Sequence, residues 1–211
     1  MFLIGLAGLY CAGKNRVAAL LEKKGVPVLD VDKLGHTAIE AKKAEIVRRF
    51  GGGVLGPLGS VDRRLLAETV YAGKKRGNLA ALEEIIHPAA NALTEQWIKD
   101  TASVKGSAPP FCVINAALLH RSSVFGSLEA VIIVKAPFFI RFYRAKKRDR
   151  LSVPALFRRF RKQSEFTSQY LAAKSDIYII DNSGFSGSAV NLEKRLDKIL
   201  AGIREKTIGQ I

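Results

Sequence analysis

The chain has 211 residues, 48% of them hydrophobic and 25% charged, and a formal net charge of +15. This composition is typical of a globular protein, no apolar run reaches the roughly 20 residues that span a bilayer, and two cysteines make no disulfide framework. We therefore expect a cytoplasmic protein without a signal peptide, whose positive charge suits anionic ligands.

The first stretch of the chain predicts a strand followed by a helix. Residues 2–6 are apolar and indicate a buried strand, and residues 15–24 carry helical periodicity with Val17, Leu20 and Leu21 on one face. Gly8 and Gly13-Lys14, between the two elements, have the spacing of a phosphate-binding loop.

This loop has the chemistry for phosphate. Its N–H groups and those of the first helical turn point at an anion, and the helix dipole adds positive charge. Lys14 supplies a mobile charge. Asn15 stands where the pattern has Ser or Thr, and its amide oxygen is a candidate Mg²⁺ ligand. A strand–turn–helix with incidental glycines is the alternative.

The second predicted strand, residues 26–32, ends in Asp30 and Asp32. Residues two apart on a strand point to the same side, and ligands gather at the carboxyl ends of parallel strands. One carboxylate could accept a proton from a hydroxyl nucleophile, and the other could orient a residue or a metal-bound water. Alternatively, one or both cap the following helix.

Helical patterns dominate the next segment. Residues 33–50 predict one helix, Ser60 can cap a short helix over residues 62–71, and residues 78–99 predict a long helix that Pro88 kinks or splits. This segment is predicted as an insertion over about residues 33–110.

The remaining strands are predicted at residues 111–114, 130–134 and 176–181, and the remaining helices at residues 138–148, 153–163 and 188–204. Strands that are apolar throughout and alternate with helices predict a parallel sheet covered on both faces. We therefore predict a single α/β domain over residues 1–211, with three layers and a five-stranded parallel sheet.

Positive charge is concentrated in residues 141–162. This stretch contains ten basic residues and a single acidic one, Asp149, and has a local charge of +9. Arg144 and Arg148 are four residues apart on one predicted helix face. Arginines that close over a transferred phosphoryl group stabilise its charge and exclude water, so this segment is predicted as a lid. A solvated basic helix is the alternative, and we favour it for Lys146, Lys147 and Arg158.

Three histidines are weaker candidates. His87 precedes Pro88, either as a functional residue or as a histidine that ends a helix before proline. His36 and His120 are interpreted as surface or partly buried polar residues.

Several segments occur in a recognisable order: residues 25–32, 61–65, 82–88 with the His-Pro pair, the lid positions Arg144, Arg148, Arg159 and Gln163, and residues 180–184. In this order and spacing the chain resembles the dephospho-CoA kinase family over nearly its whole length.

The resemblance implies the last step of coenzyme A biosynthesis, in which the ATP γ-phosphoryl group moves to the ribose 3′-hydroxyl of dephospho-CoA, with Mg²⁺. It implies Asp32 as the proton acceptor and Lys14 and Arg148 as catalytic cations. The implied nucleotide-binding residues are Gly8, Cys11, Ala12, Gly13, Lys14, Asn15, Arg16, Arg144 and Asn182, and the implied substrate-binding residues are Asp30, Asp62, Arg63 and His87.

The resemblance also implies that the insertion at about 33–110 forms the substrate wall and that a lid at about 139–163 closes over ATP. The expected partners are the small molecules ATP and dephospho-CoA, without nucleic acid or membrane; the oligomeric state is left open.

The chain departs from the family pattern at two places. Leu9, Cys11, Ala12 and Asn15 replace two glycines, a serine and the hydroxyl residue of the loop, and His120 stands where the family has an acid. Three alternatives stay open: another P-loop kinase for nucleosides or nucleoside monophosphates, a nucleic-acid-binding protein, and an inactive kinase fold.

Overall fold

The computed structural model describes residues 1–72, 77–104, 109–161, 170, 175–184 and 189–208. The chain divides into two compact units, one made of Met1–Leu29 and Asp100–Ile211 and the other of Asp30–Lys99. The predicted lid position Gln163 and the predicted helix start at Ser188 lie outside the described residues.

The first unit contains a five-stranded sheet in the order β2-β3-β1-β4-β5. The strands are β1 Phe2–Gly8, β2 Val28–Asp30, β3 Phe111–Asn115, β4 Ala130–Lys135 and β5 Asp176–Asp181. β1 is parallel to β3 and β4, and β4 is parallel to β5. The predicted α/β fold with a five-stranded parallel sheet is confirmed.

The described helices are α1 Lys14–Lys23, α2 Val31–Ala41, α3 Lys43–Phe50, α4 Arg63–Ala72, α5 Asn78–Ala102, α6 Phe138–Asp149, α7 Val153–Arg161 and α8 Ala189–Ile208. None of these helices is long and apolar enough to cross a membrane.

The central strands are buried along their whole length. All residues of β1 and β3 are buried, which explains why neither strand alternates apolar and polar residues; Asn115, at the end of β3, is the polar residue among them. Ile4 and Leu6 of β1 share a core with Leu21 of α1 and Leu196 of α8. This packing fixes the end of β1, where the glycine-bounded loop begins.

The strand predicted over residues 26–32 is shorter than expected. β2 ends at Asp30, whose carboxylate accepts a hydrogen bond from the amide of Lys33 at 3.3 Å and so caps α2. Aspartate is a preferred N-cap residue, so the chain turns into a helix there. Asp32 lies in the first turn of α2, and the expected placement of both acids on one side of a strand is wrong.

The helix predicted over residues 33–50 is two helices, α2 and α3, which meet at Lys42. Lys42 ends α2 through its amide, which donates to the Ala38 carbonyl at 2.9 Å, and begins α3 by accepting from the Ile46 amide at 3.0 Å. The break lets α3 bury Ile46 in the core of the second unit. The sequence carries no glycine or proline there to indicate it.

Helix α4 is capped by Asp62 and not, as predicted, by Ser60. The Asp62 carboxylate accepts hydrogen bonds from the amides of Arg64 at 2.8 Å and Leu65 at 3.2 Å. These two donors lower the pKa of Asp62. Both residue types are good caps, but only Asp62 directly precedes the first residue of α4.

Helix α5 continues through Pro88 without a split. Proline in a helix interior removes a hydrogen bond and costs about 3 kcal/mol. Leu82 and Ile85, in the turns before it, pack against the core of the second unit, and this packing supports the helix. His87 therefore lies exposed inside a helix, so the reading in which it ends a helix is wrong.

Candidate active site

A sharp loop joins β1 to α1. The Leu9 amide donates to the Val134 carbonyl at 3.2 Å, and the Ala12 amide closes a turn on the Leu9 carbonyl at 2.9 Å. Cys11 and Gly13 both have positive φ, at 58° and 99°. The loop therefore leaves the sheet at Gly8 and reaches the start of α1 within a few residues.

Glycine suits the start of this loop because the backbone of Gly8 lies close to neighbouring side chains. A Cβ at Gly8 would lie 3.1 Å from the Cβ of Lys14 and 3.3 Å from that of Val134. The absence of a side chain at Gly8 thus lets Lys14, the first residue of α1, lie close to the end of β1. This is the strand–loop–helix arrangement that the glycine spacing predicts.

The amino end of α1 is suited to an anion. Among the described residues, no side chain caps this helix, and its first turn holds no acid. The amides that begin a helix lack intrahelical acceptors and carry the positive end of the dipole. Lys14 and the exposed residues Asn15 and Arg16 occupy this first turn. A phosphate group would meet helix amides and two cationic side chains there.

Asn182 supports the loop from the end of β5. Its side chain is 3% exposed, and its Nδ2 donates to the Ala12 carbonyl at 2.7 Å, while its own amide donates to the Lys135 carbonyl at 2.8 Å. Its Oδ1 is buried without a hydrogen-bond partner among the described residues. The structure thus gives Asn182 a contact with the loop itself, and nucleotide contact stays a prediction.

Gly13 and Asn182 are packed so closely that a substitution can test the contact. An alanine Cβ at position 13 would lie 2.2 Å from the Nδ2 of Asn182, at a φ of 99°. Left-handed backbone costs an ordinary residue about 1–2 kcal/mol, and overpacking adds about 1–3 kcal/mol. We expect Gly13→Ala to lower the free energy of unfolding by about 2–5 kcal/mol, measured by urea denaturation.

Gly25→Ala is the matched control. Gly25 also has positive φ, 75°, but an added Cβ would meet no atom within 4 Å. This variant should lose only the backbone cost of about 1–2 kcal/mol. Equal losses in the two variants would show that the Asn182 side chain moves aside and does not hold the loop.

Arg144 joins the lid helix α6 to the loop and to the chain after β5. Its Nη1 donates to the Ala12 carbonyl at 3.3 Å, and its Nη2 donates to the carbonyls of Asn182 and Gly184, both at 3.1 Å. Burial lowers the pKa of Arg144, and the nearby charge of Arg16 lowers it further. The guanidinium therefore brings positive charge to the loop while it fixes three carbonyl groups.

Arg141 and Arg148 approach the same loop from α6. The Nε of Arg141 donates to the Ala136 carbonyl at 3.0 Å, and its Nη1 donates to the Tyr10 carbonyl at 3.5 Å. The guanidinium carbon of Arg148 lies 5.3 Å from the centre of the Tyr10 ring. Three arginines of the predicted lid thus contact the loop, while the side chains expected to be solvated are exposed: Lys146, Lys147 and Arg158.

Cys11 lies in the loop as a neutral thiol. Burial raises its pKa, although the nearby charges of Arg148, Arg141 and Arg144 act in the opposite direction. A thiol with a raised pKa is mostly protonated at neutral pH and is a poor nucleophile. Cys11 therefore contributes to the shape of the loop through its positive φ and does not supply a thiolate.

The loop also fits a magnesium ion. The exposed amide of Asn15 offers a hard oxygen ligand in the first turn of α1. Mg²⁺ commonly takes one or two protein ligands and completes its shell with waters and substrate phosphates. Among the described residues, no group of three or more His, Cys, Asp or Glu side chains could hold a metal. Asn15 is thus a single candidate ligand, and an ion held there would need further oxygen ligands from water or from a bound phosphate.

The other predicted site residues belong to the second unit. Asp30 caps α2, Asp62 caps α4, and Asp32 is exposed in the first turn of α2. Arg63 contacts the imidazole of His36, which the sequence indicated only as a polar surface residue. His87 is exposed on α5. Their roles towards a substrate stay predictions.

Sequence reasoning missed the part that Tyr10 and Asp149 play. Tyr10 is noticeable only as a bulky residue in a glycine loop, and Asp149 only as the single acid in a basic stretch. Their hydrogen bond joins residues 139 positions apart. No periodicity or spacing rule indicates such a contact.

Comparisons with known proteins agree on one family. The family model for dephospho-CoA kinase matches residues 2–187. A dephospho-CoA kinase of Anaeromyxobacter dehalogenans is 33% identical over 207 residues, covering 97% of this chain and 93% of the relative. A dephospho-CoA kinase of Thermus thermophilus is 33% identical, covering 94% of this chain and 90% of the relative.

Solved structures share the fold of this chain. A crystal structure of a Thermus thermophilus protein superposes with a TM-score of 0.75 at 31% identity and covers 95% of this chain and 97% of its own. The dephospho-CoA kinase of Campylobacter jejuni superposes with a TM-score of 0.69 and covers 99% of this chain and 98% of its own. At 21% identity, the second comparison shows the fold alone.

Proposed function

This chain belongs to the dephospho-CoA kinase family, and we propose that it transfers the γ-phosphoryl group of ATP to the ribose 3′-hydroxyl of dephospho-CoA. The observation that carries the proposal is the match over residues 2–187, which includes the phosphate-binding loop with its intact lysine. The reaction is an ATP-dependent phosphotransfer and the final step of coenzyme A biosynthesis.

In this proposal the loop and the start of α1 bind the triphosphate. The amides of the helix start and the Lys14 ammonium stabilise the charge of the outer phosphates. Ala12 and Gly13 hold the loop in shape through their contacts with Asn182 and Arg144. Because these contacts are within the protein, the loop is preorganised before the nucleotide arrives.

The lid, defined here as the described residues of α6 and α7, supplies further positive charge. Arg148 is the arginine that we place against the transferred phosphoryl group, because its side chain is 60% exposed beside the loop. Arg144 keeps the lid attached to the loop through carbonyl contacts. In phosphoryl transfer, catalysis is mainly positioning and charge stabilisation. In this proposal Arg144 positions the lid, and Arg148 stabilises the charge.

We place Mg²⁺ at Asn15, whose amide oxygen would hold it together with the nucleotide. The ion, when bound, neutralises part of the charge on the phosphates. Asp32 accepts the proton of the 3′-hydroxyl. The second unit includes most of the predicted helical insertion. We propose that four of its residues contact dephospho-CoA: Asp30, Asp62, Arg63 and His87.

The test is an assay of purified protein with ATP, Mg²⁺ and a set of acceptors. Dephospho-CoA should give ADP and coenzyme A in equal amounts, and a dephospho-CoA analogue without the 3′-hydroxyl should give neither. Adenosine and AMP should be far poorer acceptors. Turnover with AMP or adenosine alone would point to another P-loop kinase, and no turnover with any acceptor would support an inactive fold.

A further inference from the structure

Tyr10, in the middle of the phosphate loop, is held by lid residues on several sides. Its hydroxyl donates to the carboxylate of Asp149 and accepts from the Nη1 of Arg159 at 3.3 Å. Its ring meets Phe160 edge-on, with centroids 5.2 Å apart. The guanidinium groups of Arg148 and Arg159 lie 5.3 and 5.9 Å from its ring centre.

Asp149 connects the tyrosine to both arginines. Its Oδ1 pairs with the Nε of Arg148 at 2.7 Å, and its Oδ2 pairs with the Nη1 of Arg159 at 3.4 Å. The side chain of Asp149 is 15% exposed, whereas those of the arginines are 60% and 56% exposed. The carboxylate is thus more buried than either cation, and Tyr10 is its contact with the loop.

At neutral pH, Asp149 is ionised and the Tyr10 hydroxyl is protonated. The hydrogen bond from Arg148 is the main cause that lowers the pKa of Asp149, and burial followed by the hydrogen bond to Asp149 raises that of Tyr10. Because the folded-state pKa of Asp149 is lowered, its contribution is present above the ordinary pKa of an aspartate and lost as the pH falls through the lowered value.

We propose that Tyr10 is a positioning residue for ATP binding: through Asp149 it holds the guanidinium groups of Arg148 and Arg159 over the phosphate loop before the nucleotide arrives. The proposal rests on the proposed function, since it assumes that these arginines meet the phosphates. Tyr10 itself touches no reacting atom. Its hydroxyl and its ring face orient the cations, which an aliphatic side chain at this position could not do.

The energetic reason is preorganisation. An exposed arginine loses side-chain freedom when it binds a phosphate, and this loss lowers affinity. The contacts with Tyr10 and Asp149 restrict the two arginines in the free protein, so ATP binding loses less freedom. Once ATP is bound, the phosphates themselves hold the arginines, and the hydroxyl of Tyr10 should matter little for the chemical step.

The experiment replaces the hydroxyl alone. Tyr10→Phe keeps the ring contacts with Phe160 and the arginines but removes the hydrogen bond to Asp149 and the one from Arg159. We expect the Kd and KM for ATP to rise roughly three- to tenfold, the range of one ordinary hydrogen bond, because the hydroxyl acts on ATP only through the arginines; kcat should stay within about twofold of wild type. Tyr143→Phe, the same change at an exposed tyrosine of α6, should alter neither constant.

A double variant shows whether the effect runs through Asp149. Asp149→Asn should also weaken ATP binding. The fold-change in ATP affinity of the double variant should be smaller than the product of the two single fold-changes, because both residues act in one network. Independent, fully multiplicative effects would overturn the proposal, as would an unchanged ATP affinity in Tyr10→Phe with only a lower melting temperature.

The direction in which ATP affinity changes distinguishes a contact that positions the arginines from a contact that blocks the site. If the contact instead blocks the site, Tyr10→Phe should bind ATP more tightly, and that result would also overturn the proposal. Direct ATP binding, measured by calorimetry without an acceptor, keeps the outcome independent of dephospho-CoA. Wild-type protein that binds ATP but does not phosphorylate dephospho-CoA would contradict the proposed function and leave this comparison decisive.

Discussion

Lys14→Ala should lower turnover with dephospho-CoA by roughly 10³-fold or more, the upper range for a lost charge-stabilising group at a phosphoryl-transfer site. Lys14 opens α1, where the described part of the chain places neither an acid nor a side-chain cap. In the proposed reaction, the Lys14 ammonium stabilises the negative charge that develops on the phosphates, in addition to the amides at the start of α1. The measurement is kcat/KM for ATP at saturating acceptor.

Lys23→Ala is the control for this variant, because it removes the same charge from the other end of the same helix, in its last turn. Lys23 is exposed, so we expect activity within about twofold of wild type and a small loss of helix stability, about 0.3–1 kcal/mol, from the lost dipole partner. Near-normal activity of folded Lys14→Ala would show that the loop does not bind the triphosphate.

The strands and the phosphate loop could be predicted because local sequence determines them. β1 and β3 are buried along their whole length and, apart from Asn115, appear as unbroken apolar runs. Gly8 and Gly13 stand at two places where a Cβ would be crowded, beside Val134 and beside the Asn182 side chain, and Gly13 also has positive φ. Such close approaches restrict the residue type itself, and the pattern is therefore visible in one sequence.

The end of β2 could not be predicted because two local preferences compete there. Val31 continues the apolar run, which favours a strand, while Asp30 is a good helix cap. In the structure the cap determines the outcome, and α2 begins at Val31. The Asp30 carboxylate thereby accepts a hydrogen bond from the amide of Lys33 and has a structural role at the start of α2.

The attachment of the lid to the loop could not be predicted either. Arg144 bonds to carbonyl groups of Ala12, Asn182 and Gly184, which are 132, 38 and 40 positions away. Helical periodicity places Arg144 and Arg148 on one face but does not say what that face meets. The contact of Arg144 and Arg148 with the protein's own loop is observed, whereas their role towards phosphate stays a prediction.

Asp32→Asn should lower kcat by about 10²–10⁴-fold, the usual contribution of a positioned proton acceptor. A ribose hydroxyl is a poor nucleophile until its proton has an acceptor, and Asp32 is an exposed carboxylate in the first turn of α2, just beyond β2. Asparagine keeps the size and polarity of the side chain but cannot take the proton. ATP affinity, measured separately, should stay the same or become slightly tighter.

Asp30→Asn is the matched comparison at the neighbouring acid. Asparagine caps a helix about as well as aspartate, so α2 should persist, and we expect a smaller loss of kcat because Asp30 already bonds to the Lys33 amide. The ratio of the two kcat values decides the assignment. If Asp32→Asn turns over within a few-fold of wild type while Asp30→Asn does not, Asp30 is the base; if both remain active, the proton leaves by another route although the chain remains a kinase.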